Sequence, residues 1–258
     1  MEVFVCESER IDDLQRGGLR LIAKRDSFRF GTDAVLLADF ASMKKGARVA
    51  DLGTGSGVLP FLIGARVEGT TFDAVEIQED ICDMARRSVL MNGWEERVSV
   101  HCMNLKDAPA VLGHEKFDAV VSNPPYGKLG EGMLPPKRSD AIARFEVECS
   151  LEDVVRTAFQ LLKNGGSFYM VHQMRRLLEI LDVTRANNLA PKRLRCLYPK
   201  ATSEGKLVLI ECIKNGKCAL RWLPPLIQYG EDGEFTPEAR RIYGMGQDDE
   251  DRNFGRNI

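Results

Sequence analysis

Several things are scarce in this 258-residue chain, and each scarcity removes a class of function. There is no Cys-x-x-Cys pair, and the seven cysteines are scattered singly, which argues against a disulfide framework or a zinc site and for a reducing cytoplasm. Three histidines, His101, His114 and His172, stand far apart, so no metal site is expected. No apolar run approaches the roughly 18 residues that span a bilayer. The N-terminus lacks the basic start and apolar stretch of a signal peptide. No internal repeat or low-complexity tract interrupts the chain. Net charge is only −2, which carries no global signature of nucleic-acid binding. What remains is the composition of an ordinary soluble protein, 44% hydrophobic and 29% charged, long enough to bury a sizeable core.

Charge is unevenly spread. Between Arg185 and Lys206 the basic residues outnumber Glu204, the lone acid, and a second basic stretch runs from Arg20 to Arg29. Local patches of this kind can meet phosphate even when the total is negative. We expect Arg193, Arg195 and Lys200 to do so.

From Ala47 onward, short apolar runs alternate with amphipathic stretches. Strands are expected at Ala47–Leu52, Thr71–Ile77, Val98–Cys102, Phe117–Ser122, Ser167–Val171, Leu194–Tyr198 and Leu207–Ile213. Helices are expected between most of them, one of them Leu151–Leu162, closed by Asn164-Gly165-Gly166. This alternation predicts a Rossmann-like, doubly wound α/β fold with a mostly parallel seven-stranded sheet. The last two strands have no helix between them, so an antiparallel edge strand is expected. A hairpin or cover segment (1–45), a main domain (46–220) and a tail (221–258) with a short helix after Thr236-Pro237 complete the plan. Asp33 is expected to cap a helix from Ala34 to Ser42.

Three motifs carry chemistry. Asp51-Leu52-Gly53-Thr54-Gly55-Ser56-Gly57 follows the first core strand and opens a helix, letting a ligand approach the backbone. The dinucleotide fingerprint needs a small residue where Val58 stands, so hydride transfer is disfavoured. Glu76, ending the second strand before Ile77, offers two acceptor oxygens suited to a ribose diol. Asn123-Pro124-Pro125-Tyr126 ends the fourth strand. An exocyclic amine is a poor nucleophile because its lone pair is delocalised. Acceptors such as the Asn123 side-chain oxygen and the Pro124 carbonyl can engage its N–H groups, and proline rigidity fixes them. The Tyr126 ring can stack on a flat target.

The glycine motif resembles motif I of class I S-adenosylmethionine methyltransferases, and Asn-Pro-Pro-Tyr resembles the motif of amino-directed members. That resemblance implies S-adenosylmethionine held by Asp51, Gly53, Gly55, Gly57, Glu76 and Ile77, with Asn104 and Leu105 beside its adenine and Asn123 facing its reactive end. The substrate stays open on these motifs alone: an RNA adenine, a release-factor glutamine, an rRNA guanine N2, or a non-catalytic RNA-binding role. More of the chain is particular. Phe28-Arg29-Phe30-Gly31-Thr32-Asp33-Ala34, Leu207-Val208-Leu209-Ile210-Glu211 and Ile242-Tyr243-Gly244 are similar to the bacterial tRNA adenine-N6 methyltransferases acting beside the anticodon of a valine tRNA. The likeness implies a tRNA substrate and makes Thr32 and Asp33 secondary cofactor contacts. Two positions depart from that family: Asn104 stands where Asp is usual, and Phe145 where a histidine is usual. The stretch 128–138 is expected to form a loop over the substrate.

Overall fold

A computed structural model describes residues 4–25, 31–124, 126, 149–217 and 219–245. The strands of the central sheet are β3 (Arg48–Leu52), β4 (Thr71–Glu76), β5 (Val98–Cys102), β6 (Phe117–Ser122), β7 (Leu162–Gln173), β8 (Leu189–Tyr198) and β9 (Leu207–Lys214). Among them the inner strands β3, β4 and β6 are largely buried on both faces, as parallel strands covered by helices must be. Two two-residue strands, β10 (Arg221–Trp222) and β11 (Leu226–Ile227), extend the β8 edge. The order is β10-β8-β9-β7-β6-β3-β4-β5, with β11 also on β8.

The seven expected core strands are present, with one correction to their arrangement. The antiparallel strand, β9, lies between β7 and β8 instead of at the edge. Tight β8–β9 pairing says nothing about which of the two meets the parallel sheet, and the more apolar β9 took the inner place.

Helices α1 (Thr32–Phe40), α2 (Val58–Arg66) and α3 (Glu79–Met91) join one core cluster through Leu37, Phe61 and Val89. On the other face α4 (Ala108–Leu112), α5 (Leu151–Leu161) and α6 (Leu177–Ala186) pack through Ala108, Val155 and Ile180. A capping box between Ser150 and Asp153 starts α5. Its end differs from expectation. The helix stops at Leu161, and Asn164-Gly165-Gly166 lies inside β7, where five residues span the register between Phe117 and Ala119 of β6. The turn signal marks a bulge there, not a helix end. The first helix also differs: α1 begins at Thr32 with Gly31 as its N-cap, and Asp33 lies in its first turn.

The hairpin of β1 (Glu9–Asp13) and β2 (Arg20–Lys24) rides on α3. The Ser88 hydroxyl receives the Ile22 N–H at 2.9 Å, and Arg87 pairs with Glu9 at 2.6 Å, holding that carboxyl down at about 2. Thr236 caps the short α7 (Pro237–Tyr243), which packs on α1. No helix among the described residues is long and apolar enough to cross a membrane.

The chain runs from β3 outward to β5, then returns to β6 on the other side of β3. A crevice opens where strand order reverses in this way, at the carboxyl ends of the two strands. Asp51 ends there from β3 and Asn123 from β6.

Candidate active site

The β3 side of the crevice is held by the backbone. Gly53, Gly55 and Gly57 take φ of +76°, +57° and +93°, conformations that side-chain-bearing residues adopt at a cost. A Cβ at Gly55 would stand in open space, so backbone conformation, not crowding, requires that glycine. The Gly53 and Thr54 N–H groups both donate to the Val75 carbonyl at 2.9 Å, tying the loop to β4. Glu76 completes the tie. Its Oε2 accepts from Gly55 N at 3.0 Å, and its Oε1 accepts from Ile77 N at 2.9 Å and Gln78 N at 3.0 Å.

Beside this loop lies a small pocket lined by Gly53, Glu76, Ile77, Asn104 and Leu105, together with Met103 and Cys149. Every residue expected at the nucleoside end of the cofactor is therefore on one wall. Asn104 caps a short 3₁₀ turn by accepting the Lys106 N–H at 3.0 Å, leaving its amide N–H₂ as the unspent donor.

Asp51 is fully buried at the end of β3, and neither of its carboxylate oxygens has a hydrogen-bond partner among the described residues. The neighbouring Thr54 hydroxyl is buried and unpartnered as well. Burial pushes the Asp51 carboxyl up to about 7; the Thr54 hydroxyl, near it but short of hydrogen-bond geometry, opposes this, and the charge of Glu76 reinforces it. Unsatisfied buried groups of this kind are costly and rare away from sites of function. A carboxylate stripped of partners, a free hydroxyl and a glycine loop with an adjoining cavity fit the methionine and nucleoside ends of S-adenosylmethionine.

The β6 side is held by side chains. Asn123 and Pro124 follow Ser122, whose hydroxyl donates to Leu52 O at 2.8 Å and locks the end of β6 to β3. The Tyr126 hydroxyl lies 2.8 Å from Asn123 Oδ1 and 2.6 Å from Asp33 Oδ2. Burial, and after it the Asp33 charge, push the Tyr126 phenol well above its ordinary range. Its ring lies 5.2 Å from that of His172, at 52°. Burial and then Arg176 press the His172 imidazole down to about 4, so it is neutral at pH 7. Asp33, expected beside the cofactor, accepts a hydrogen bond from the tyrosine of the β6 loop. Pro125, the stretch 128–138 and Phe145 lie outside the described residues.

A second, more open cavity has Tyr126 and Thr32 in its wall, with Gln173, Arg175, Lys206 and Gln228 and one acid, Glu204. Arg175 and Lys206 are exposed. None of these five polar residues was expected from sequence, although Gln173 ends β7, and strand ends are where doubly wound folds place ligands. The expected phosphate-binding residues fare differently. Arg193 pairs with Glu211, donates to Phe40 O at 3.3 Å and lies over the Phe40 ring. Arg195 pairs with Glu238 at 2.7 Å and donates to Pro224 O at 3.1 Å. Both guanidiniums thus have partners within the fold, while Lys200 is exposed on the β8–β9 turn.

The parallel sheet with one inserted antiparallel strand, and a glycine loop facing an Asn-Pro loop across its switch point, define a Rossmann-like class I methyltransferase. The model of the methyltransferase small domain family matches residues 25–181, and the chain belongs to that family. A tRNA1(Val) (adenine(37)-N6)-methyltransferase of Parabacteroides distasonis is 29% identical over 187 residues, covering 72% of this chain and 76% of the relative. An enzyme of the same name from Bacteroides fragilis is 27% identical over 219 residues, covering 84% of this chain and 91% of that one. The crystal structure of a predicted O-methyltransferase from Agrobacterium tumefaciens superposes with a TM-score of 0.69 at 23% identity, over 83% of this chain and 96% of the other. That likeness is one of fold.

Proposed function

We propose that this methyltransferase uses S-adenosylmethionine to methylate the N6 amine of an adenine in tRNA, at position 37 of the valine tRNA named for its relatives. The observation that carries the reading is the meeting, at one switch point, of the unpartnered Asp51 carboxylate and glycine loop with Asn123, Pro124 and Tyr126.

Asp51 and the loop Gly53–Gly57 would hold the methionine end, and Glu76, Ile77, Asn104 and Leu105 the nucleoside. Bound there, the cofactor supplies an electrophilic methyl group on a sulfonium. The chain's own task is to make a delocalised amine nucleophilic. The Asn123 amide oxygen and the Pro124 carbonyl accept its two N–H bonds and draw the nitrogen towards tetrahedral geometry. Its lone pair is then oriented for attack. The proton released after transfer passes to solvent. Tyr126, walling the open cavity, offers a ring for the target base, and exposed Arg175 and Lys206 line it with two positive charges against one acid, Glu204. A phosphate backbone on either side of an extruded base matches that chemistry. The identity and coverage of the two tRNA-modifying relatives favour the same substrate.

The test is transfer of labelled methyl to unmodified tRNA, followed by nucleoside mass spectrometry, with Asn123→Ala as control. The expected product is 6-methyladenosine, absent in the control. Cofactor binding without product on any RNA overturns the substrate.

A further inference from the structure

Asp33 reaches the β6 loop from α1, 93 residues earlier in the chain. The Tyr126 hydroxyl carries one proton and stands between two oxygens, Asp33 Oδ2 at 2.6 Å and Asn123 Oδ1 at 2.8 Å. A carboxylate is the stronger acceptor and takes that proton. The Tyr126 oxygen is then itself an acceptor, facing the Asn123 amide at hydrogen-bond distance. Two acceptors cannot face one another at 2.8 Å with nothing between them. A half-turn of the amide, whose oxygen and nitrogen ends are near-equal in shape, meets the Tyr126 oxygen with an N–H instead.

We propose that Asp33 is a positioning residue for the amine acceptor: it draws the Tyr126 proton, Tyr126 in turn fixes the Asn123 amide nitrogen, and the amide oxygen is left for the substrate N–H. This rests on the amine-methylation reading above and names what orients its central residue. The order of groups is Asp33 Oδ2, Tyr126 O–H, Asn123 Nδ2–H, with each donor answered by one acceptor. Left to itself, an asparagine amide presents its oxygen and its nitrogen about equally, and the wrong end offers an amine only a competing donor. The relay removes that ambiguity before substrate arrives.

A second observation shows that the segment is shaped for this contact. Gly31 has φ −64°, which any residue adopts, yet a Cβ there would lie 1.9 Å from Asp33 Oδ1 and 2.9 Å from its Cγ. The glycine is needed for the space the carboxylate occupies. Asp33 Oδ1 is meanwhile held by the Ala34 N–H at 3.2 Å, so the side chain is fixed at both ends. Gly31→Ala therefore displaces the carboxylate while leaving it in the chain.

Two readouts on the full-length protein test the relay. The first needs no activity. In side-chain amide NMR spectra, the Asn123 Nδ2–H signals, assigned by their loss in Asn123→Ala, should shift in Tyr126→Phe, Asp33→Ala and Gly31→Ala alike. Unmoved signals in all three overturn the proposal, whatever the substrate proves to be. The second is kinetic. Asp33→Ala and Gly31→Ala should lower kcat for 6-methyladenosine by about tenfold to a hundredfold, as loss of preorganised geometry does. Asp33→Asn, whose amide oxygen is no stronger an acceptor than that of Asn123, should share most of that loss, and full activity in it would overturn the relay. The cofactor Kd, measured by calorimetry, should stay within about threefold throughout, an uncoupled change in the sense of a kcat-only defect. A rise in cofactor Kd that accounts for the lost rate would make Asp33 a cofactor contact and overturn the relay. If the wild-type enzyme fails to methylate tRNA, the substrate reading falls while the amide spectra still decide the relay.

Discussion

The two walls of the crevice are built on opposite plans. On the β3 side, residues 51–57 and 75–78 hold one another by backbone N–H groups, and every bond lies within two short stretches of chain. On the β6 side, Asp33, Asn123, Tyr126 and His172 come from three separate segments and meet through side chains. The first wall offers a fixed cradle with one stressed group, Asp51, left for a ligand to satisfy. The second has oriented acceptors whose direction depends on distant neighbours. A cradle tolerates side-chain exchange but not backbone change, whereas a relay tolerates neither end being moved.

The largest effect expected is on the cradle. The Asp51 carboxyl rises from 3.8 in the unfolded chain to about 7 in the folded one. Between those values the folded chain without cofactor keeps a proton that the unfolded chain gives up, so stability falls as pH rises from about 4 to about 7 and is level above. The loss integrates to about 4 kcal/mol at full burial. Asp51→Asn should abolish this slope in urea titrations run across that range, making the variant the more stable protein at pH 8 while weakening cofactor binding. An unchanged slope would show that Asp51 is not strained, and the contrast between the walls would lose its basis. Next comes the acceptor wall. Asn123→Ala should cut kcat by about 10²–10³-fold, the usual range for one preorganised acceptor or donor, with cofactor Kd unmoved. A comparable loss of cofactor affinity would merge the two walls into one.

The same contrast explains what was legible in the sequence. The cradle's residues are neighbours in the chain, so Asp51, the three glycines and Glu76 could be read from spacing, and Gly53 and Glu76 share a pocket with Ile77, Asn104 and Leu105. Asn123 and Tyr126 were legible as a motif, but their partners were not, because no local pattern links position 33 or 172 to position 126. The open cavity is harder still, drawing Thr32, Tyr126, Gln173, Lys206 and Gln228 from five places. Arg193 and Arg195 show a related limit: a run of basic residues shows charge but hides the acids, Glu211 and Glu238, that pair with it. In the sheet, Asn164-Gly165-Gly166 carries the same signal whether a turn or a bulge follows, and only its pairing with β6 decides.

Arg193 can be tested as part of the fold. Removing it leaves Glu211, 9% exposed, with the Tyr169 hydroxyl at 3.0 Å and the Ser167 hydroxyl at 3.4 Å but no cation. Arg193→Ala should therefore cost about 2 kcal/mol of stability, the scale of a partly buried pair left incomplete, and leave tRNA affinity unchanged.

The smallest effect, and the one that separates the two sets of basic residues, is expected at the mouth of the open cavity. Arg175 and Lys206 are exposed beside Tyr126, and their charges contribute to affinity through released counterions. Each phosphate contact adds a little under one unit to the slope of log K against log salt, so Arg175→Ala with Lys206→Ala should flatten that slope by about 1.5 and weaken tRNA binding by about tenfold near 0.1 M salt. Because such contacts place the substrate without touching the reacting amine, kcat at saturating tRNA should hold. Filter binding across a salt series reads both quantities. If the double variant binds as wild type while Arg193→Ala weakens binding without loss of stability, the phosphate path runs over β8, and the β6 wall would face its substrate from the other side.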